Sequence, residues 1–183
     1  MQTVAKTVAI LLLATVIALL SFAYSGAYDV SATQADGRLL RWLLVTLRDR
    51  SIERRAANIA VPPLNDPDLI QEGFEHYHAM CTGCHLAPGM EASEIRQGLN
   101  PPPPILAQVV PHTSPAQLFW VIKHGVKMSG MPAWGASHSD QMIWAIVAFL
   151  ERLPTMTPAQ YQAMEKQSDT SMTGSETSGS DRP

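Results

Sequence analysis

The sequence predicts an all-α protein, in which a membrane-spanning helix precedes a small helical domain. Two observations predict this fold class. The uncharged run TVAILLLATVIALLSFAYSGAY occupies residues 7–28, which is about the length that a helix needs to cross a bilayer. Farther along the chain, apolar residues recur three and four positions apart in stretches that begin or end at proline or glycine. No stretch alternates apolar and polar residues as a strand would.

The first element, residues 1–28, is interpreted as a membrane-targeting segment. It has no polar face, so it is unsuited to the surface of a soluble domain. Lys6 and the small residues Ser25 and Ala27 also fit a signal peptide that is cleaved before Tyr28. We expect the segment to be retained as a single-pass anchor with the rest of the chain in the periplasm. The alternative is a soluble periplasmic protein.

Charge is spread unevenly over the chain, whose net charge is −3. Residues 1–65 carry seven Lys/Arg against four Asp/Glu, whereas residues 66–158 carry four against eight. No basic stripe with interleaved aromatic residues is present, so we expect no nucleic-acid partner.

The second element is the connecting segment of residues 29–65. Leu40, Leu43, Leu44 and Leu47 recur within it at helical spacing and predict an amphipathic helix. Two placements stay open: the helix lies among lipid headgroups, or it packs against its own domain.

Residues 66–158 form the third element, a domain of three main helices. Asp66 and Pro67 predict the start of the first helix, and Ser114 and Pro115 the start of the second. The third begins after Ser139 and carries an apolar stripe as far as Pro154, which ends it.

The last element, residues 159–183, is predicted to be a short helix through Met164 followed by a disordered polar tail, because the tail has little to bury. The three helices and the proline-rich loop of residues 66–158 make a thin core for independent stability. We therefore expect another group to complete it.

The motif MCTGCH indicates which group this is. Two cysteines separated by two residues and followed by histidine, Cys81, Cys84 and His85, are the attachment signature of c-type haem. The thiols bond the two haem vinyl groups, and the histidine ligates the iron. A zinc site usually needs four protein ligands, and a redox dithiol of the thioredoxin kind is found in a βαβ setting. Neither is indicated here.

From about residue 69 to 153 the sequence resembles the class I monohaem c-type cytochromes. Gly73, Tyr77 and Cys81, each four apart, are similar to the N-terminal helix of that family. There, the glycine allows a close crossing by the C-terminal helix, which IVAFLERL with Phe149 resembles. The resemblance implies a cytochrome c-like helical domain wrapped around one covalently bound haem c.

The same resemblance implies the remaining site residues. Pro104, in PIL, is similar to the proline whose carbonyl oxygen accepts the ring N–H of the proximal histidine, although Pro88 and the neighbouring prolines compete for this role. Met131, in GMPAW, matches the family's second iron ligand, and Trp134 would pack near a propionate or the ring edge. Met128 matches less well and would cover the haem edge.

Five other histidines offer further candidate ligands in place of the methionine. Single histidines on helix surfaces or in loops are more often solvated, so we interpret them as solvated side chains and not as ligands. They are His76, His78, His112, His124 and His138.

The function that the resemblance implies is electron transfer, and no motif for independent catalysis is present. His and Met ligation would leave no open iron position, so the haem would carry one electron between periplasmic or membrane redox partners. The donor would be a dehydrogenase or a quinol-oxidising complex, and the acceptor an oxidase or another cytochrome. The alternatives are an electron-accepting subunit of a periplasmic oxidoreductase complex and a haem-based gas sensor.

Overall fold

The computed structural model describes residues 1–176, which form helices and contain no strand, so the predicted all-α class is confirmed. The described chain divides into two compact units, Met1–Ala35 and a second that begins at Asp36. Nine α-helices lie within residues 1–176: α1 Gln2–Tyr24, α2 Arg38–Ala56, α3 Pro67–Met80, α4 Thr82–His85, α5 Glu94–Gly98, α6 Leu106–Val109, α7 Pro115–His124, α8 Asp140–Leu150 and α9 Pro158–Glu176. Three 3₁₀ turns join them, at Val110–His112, Trp134–Ala136 and Leu153–Thr155.

Helix α1 makes up most of the first unit. It is 23 residues long, and none of its side chains is buried. Its length and apolar composition are sufficient to cross a membrane, as for a membrane anchor or a signal sequence.

The core of the second unit is the crossing of α3 and α8. A Cβ atom added to Gly73 would lie 1.9 Å from the carbonyl oxygen of Ala145, so no larger residue fits at this point. The two backbones therefore approach more closely than side chains normally allow. This is the close crossing that the glycine at position 73 predicts.

Aromatic side chains fill the core on both sides of this crossing. The predicted pair, Tyr77 and Phe149, is fully buried, with ring centroids 5.2 Å apart. Phe74, which the sequence reasoning missed, is also fully buried and meets the rings of Phe149 and Tyr161 at 5.5 and 5.2 Å. The predicted core of three helices therefore lacked the ring of Tyr161, which α9 supplies.

The predicted helix starts are confirmed by their caps. The side chain of Asp66 accepts a hydrogen bond from the backbone N–H of Asp68 at the start of α3. Ser114 forms a reciprocal capping box at the start of α7, and Ser139 caps α8. Helix α8 ends at Leu150, earlier than the predicted stop at Pro154, because the 3₁₀ turn that contains this proline replaces its last turn.

Helix α2 contacts α7, and the two ends of α2 differ in burial. Ala56, at its C-terminal end, is 3% exposed. The N-terminal half leaves most of its large apolar side chains exposed to solvent. The burial of α2 is therefore greatest at its C-terminal end.

Helix α9 differs from the prediction because it continues beyond Met164 to Glu176, where a disordered tail was expected. The reason is a contact that polar composition does not reveal. The hydroxyl of Ser168 accepts a hydrogen bond from Gln71 Nε2 at 3.0 Å and donates to Glu75 Oε1 at 3.3 Å, and Ser168 is buried. The rest of the predicted disordered tail, residues 177–183, lies outside the described residues.

Candidate functional site

The two cysteines and the histidine of the signature lie on one short turn at the end of α3. The backbone N–H of Cys81 still donates to Tyr77 as part of the preceding helix, at 2.9 Å. The N–H of His85 then donates to the carbonyl oxygen of Cys81 at 2.8 Å, which closes α4. Cys81 and Cys84 are both free thiols and partly buried. The chain thus presents two thiols and an imidazole in a compact arrangement without a disulfide.

His85 is oriented by a hydrogen bond from its ring. Its Nδ1 lies 2.9 Å from the carbonyl oxygen of Pro104, which can only accept, so Nδ1 carries the proton and Nε2 is left with a lone pair. Burial lowers the pKa of His85, and the nearby charge of Arg96 lowers it further, although the hydrogen bond to Pro104 raises it. The imidazole is therefore neutral near pH 7, which is the form that binds iron.

Side chains from other elements hold the backbone of this turn. Arg96 Nη1 donates to the carbonyl oxygen of Cys84 at 2.6 Å, and the hydroxyl of Ser93 donates to that of Gly83. Both residues belong to the start of α5, and the sequence reasoning missed both. A Ser-Glu pair opening a short helix is a detectable cap signal, but nothing in the sequence indicates that the arginine reaches back to the motif.

A third side chain holds the end of the same turn. The hydroxyl of Tyr77 donates to the carbonyl oxygen of Leu86 at 2.5 Å. Leu86 has a φ of +62°, a left-handed conformation that is uncommon for leucine. Burial raises the pKa of Tyr77, so its hydroxyl stays protonated and remains a donor. The tyrosine therefore links the core to the backbone just after His85.

The loop between α7 and α8 carries the second candidate ligand. Gly125 ends α7 with a φ of +65°, and an added Cβ would lie 2.7 Å from the backbone of Pro132. The backbone N–H of Val126 donates to the carbonyl oxygen of Met131 at 3.2 Å, which closes the loop. Ser129 bridges it, donating to Val126 at 2.8 Å and accepting from the N–H of Met131 at 3.2 Å.

The two methionines of this loop have different surroundings. Met131 is partly buried and packs against the hydrophobic core. Met128 is 93% exposed and has a φ of +56°, in a turn beyond the end of α7 at His124. The side chain of Met128 therefore covers nothing within the described chain. An added Cβ at Gly130 would lie 2.7 Å from Leu99 Cδ2, so this glycine leaves space for Leu99.

Trp134 follows the loop and is partly buried against the core. Its ring meets that of His138 edge to face, with centroids 5.2 Å apart, and His138 in turn meets His76 at 5.6 Å. His124 is exposed, and its ring lies 5.0 Å from that of Trp120. These three histidines thus make ring contacts within the fold.

The donor set fits a covalently attached haem better than the other candidate sites. Within the described chain, no group of three or more His, Cys, Asp or Glu residues could hold a metal ion. Burial raises the pKa of the Cys81 thiol to about 12, with a further contribution from Cys84, whereas redox dithiols depend on a lowered thiol pKa. Two thiols and a neutral imidazole with a free Nε2 are the groups that haem c requires.

One known family matches the part of the chain that contains the candidate site. Residues 68–150 match the family model described as cytochrome c oxidase, cbb3-type, subunit III. No curated protein matches the chain. The matched segment begins within α3 and ends with the last residue of α8, so it contains the crossing, the cysteine turn and the methionine loop.

Proposed function

We propose that this chain is an electron carrier, in which Cys81 and Cys84 attach the haem c of the cytochrome domain matched over residues 68–150. His85 and Met131 are the proposed iron ligands. The observation that carries the proposal is the orientation of His85, whose Nδ1 is occupied by Pro104 and whose neutral Nε2 is free to bind iron. The partial burial of Met131, as opposed to the exposure of Met128, supports the other ligand.

When bound, haem supplies a one-electron couple, and the chain controls its surroundings. The Pro104 carbonyl fixes the tautomer of His85 and raises its basicity as a ligand. Arg96 and Ser93 hold the carbonyl groups of the cysteine turn, so that both thiols and the imidazole keep their relative positions. A thioether from Met131 would serve as the second iron ligand and would favour a relatively high reduction potential. Trp134 would pack near the ring edge or a propionate.

A potentiometric titration of the full-length protein, followed by absorbance, tests this function. We expect a single one-electron transition and no rapid carbon monoxide binding to the ferrous form, because both axial positions are filled. Rapid carbon monoxide binding by the unmodified protein would contradict the carrier and favour the gas sensor. Two separate transitions would contradict a single haem.

The partners would be other redox proteins of the membrane or periplasm. We propose a dehydrogenase or quinol-oxidising complex as donor and an oxidase or another cytochrome as acceptor. Residues 66–158 carry four Lys/Arg and eight Asp/Glu, a net charge of −4, which favours a partner with a positive patch. Within this region Lys123 is already paired with Asp140, at 2.6 Å. The domain would therefore dock mainly through its acidic groups.

A second candidate function is a fixed electron-transfer subunit of an oxidoreductase complex. The matched family model is itself named for a subunit of an oxidase, which favours this candidate. The dependence of the reduction rate on ionic strength distinguishes the two functions. A mobile carrier should be reduced by its donor more slowly as ionic strength rises, because charge steers its encounters. A fixed subunit should show salt-independent reduction and purify in a stoichiometric complex.

The proposed location is the membrane, with α1 as a single-pass anchor and the haem domain in the periplasm. Retention after an alkaline carbonate wash, together with a mass that includes residues 1–28, would support the anchor. A protein that begins near Tyr28 and is found in the soluble periplasm would show that α1 is a cleaved signal sequence.

A further inference from the structure

The N-terminal half of α2 has an apolar surface that nothing in the described chain covers. Seven of the nine residues from 39 to 47 are apolar. Six large side chains among them remain at least 37% exposed: Leu39, Trp42, Leu43, Leu44, Val45 and Leu47. Exposed apolar surface in one continuous patch marks an interaction site more often than it marks ordinary protein surface.

These side chains cover a wider arc of the helix than a single narrow stripe. Successive residues of an α-helix are rotated by about 100°, so Leu43, Leu44 and Val45 point in three different directions. A partner protein that received α2 in a groove would need one apolar face. A helix segment whose apolar side chains cover most of its circumference, with Arg38 and Arg41 on the remaining side, fits the boundary between the headgroups and the hydrocarbon of a bilayer.

The charges and the aromatic residue of α2 fit the same surroundings. The helix contains six arginines against Asp49 and Glu53, a net charge of +4, in a chain whose net charge is −3. Arginines of this kind bind anionic lipid headgroups, and tryptophan is enriched at the boundary between headgroups and hydrocarbon. Arg38 and Arg41 lie beside the apolar surface, and Trp42 is part of it.

The segment between α1 and α2 is short, which limits how far α2 can lie from a membrane that α1 crosses. Only 13 residues separate Tyr24, the last residue of α1, from Arg38, the first residue of α2. Even fully extended, such a segment spans only about 45 Å. If α1 is embedded in the bilayer, α2 cannot leave its vicinity.

We propose that residues 38–47 of α2 insert into the surface of an anionic lipid bilayer. The buried C-terminal end of α2 joins this insertion to the cytochrome domain, since Ala56 is buried and α2 contacts α7. The haem domain is thereby held at the membrane surface by a contact distinct from α1. The proposal does not depend on the redox role of the haem.

The test uses the full-length holoprotein reconstituted into vesicles, with a protease site inserted into residues 29–36, which contain no helix. After cleavage of that site, α1 no longer tethers the haem domain. The vesicles contain either phosphatidylcholine alone or a mixture with phosphatidylglycerol. We expect the haem fragment to sediment with the mixed vesicles and to be released more readily from the neutral ones.

Two matched double variants assign the retention to α2. Leu43→Gln with Leu47→Gln, at positions 44% and 58% exposed, should lower the partition of the fragment into vesicles about tenfold or more. Val61→Gln with Ile95→Gln, at positions 46% and 66% exposed, should leave it unchanged. Arg38→Gln with Arg41→Gln should weaken binding to the mixed vesicles about fivefold for each arginine and remove the preference for them.

Release of the unmodified fragment from mixed vesicles as readily as from neutral ones would overturn the proposal. A released fragment that is dimeric by light scattering would assign the apolar surface to a contact between copies of this chain. A released fragment that is monomeric would instead assign the apolar surface of α2 to a contact with another protein. Equal loss of retention in the two apolar double variants would also overturn the proposal, because the effect would not be specific to α2.

Discussion

The His85 side of the site and the Met131 side are held by the chain in different ways. On the His85 side, the imidazole is bonded directly to the Pro104 carbonyl, and the side chains of Tyr77 and Arg96 bond the backbone on either side of it. These donors come from α3 and α5, elements outside the turn itself. The position of His85 is therefore set by several parts of the fold.

The hydrogen bonds on the Met131 side are local. One backbone hydrogen bond, from Val126, closes the loop, and the other two involve the hydroxyl of Ser129. All three lie within six residues of one another along the chain. The loop also meets the rest of the domain through the partial burial of Met131 against the core and the close approach of Gly130 to Leu99.

If His85 and Met131 ligate the iron, as proposed, this difference indicates which of the two the protein can release. A histidine held by several elements stays in place whether or not the opposite bond is made. A thioether in a locally held loop can open when the iron–sulfur bond weakens. We therefore expect changes on the His85 side to alter the stability of the whole domain, and changes on the Met131 side to alter access to the iron.

The largest effect should come from Gly73→Ala, which acts on the crossing that supports the His85 side. The added Cβ would lie 1.9 Å from the Ala145 carbonyl oxygen, and both atoms belong to rigid helices. We expect a loss of about 3 kcal/mol or more in the free energy of unfolding. Denaturant unfolding of the ferric holoprotein measures it.

Gly98→Ala is the matched control for that change. Gly98 is the last residue of α5, and an added Cβ would meet no atom within 4 Å. Its stability should therefore change by less than about 0.5 kcal/mol. Comparable losses in both alanine variants would show that the close crossing is not the cause.

A smaller effect is expected for Tyr77→Phe, which removes one donor from the His85 turn. The carbonyl oxygen of Leu86 would lose its buried partner while the ring remained in the core, so we expect about 1–2 kcal/mol of destabilisation. Thermal unfolding measures the loss. The rate of ligand binding to the iron should stay unchanged, and a marked increase would contradict the separation of the two sides.

Tyr161→Phe provides the comparison, since Tyr161 is equally well buried in the same aromatic cluster. Its hydroxyl contacts Nδ1 of His78, a partly exposed ring that water can reach, at 3.1 Å. The loss of this contact should cost less than the loss of the Tyr77 contact. A larger loss for Tyr161 would show that the hydroxyl of Tyr77 does not support the turn.

The elements of the fold that depend on local sequence could be predicted. The side-chain caps Asp66, Ser114 and Ser139, and the prolines that follow the first two, act within a few residues, so the starts of α3, α7 and α8 follow from the sequence. The role of Gly73 at the helix crossing was implied by the resemblance of its helix to the c-type cytochromes. The cysteine and histidine spacing similarly predicted the attached group.

The features that were missed depend on residues far apart in the sequence. Ser168 bonds Gln71 across 97 positions, so the polar composition after Met164 did not reveal that α9 continues. Arg96 reaches Cys84 from another helix, and no periodicity marks this contact. Part of the candidate site could therefore be predicted from its motifs, but the contacts that Ser93 and Arg96 make with the cysteine turn could not.

The smallest effect on stability should come from Ser129→Ala, on the Met131 side. Both bonds that it removes lie in a surface loop where water can replace them, so the cost should be about 0.5–1 kcal/mol. The rate of cyanide binding to the ferric protein should nevertheless rise severalfold, because cyanide enters when the methionine leaves. An unchanged rate would mean that the serine bridge does not restrain the loop.

The assignment of Met131 as the second iron ligand is tested most directly by the weak far-red charge-transfer band that thioether ligation gives in the ferric spectrum. We expect the unmodified protein to have this band and Met131→Ala to lose it, with a lower reduction potential and rapid carbon monoxide binding in the ferrous state. Met128→Ala should keep the band, because the Met128 side chain is 93% exposed. Loss of the band in Met128→Ala and its retention in Met131→Ala would contradict the account, as would its absence from the unmodified protein.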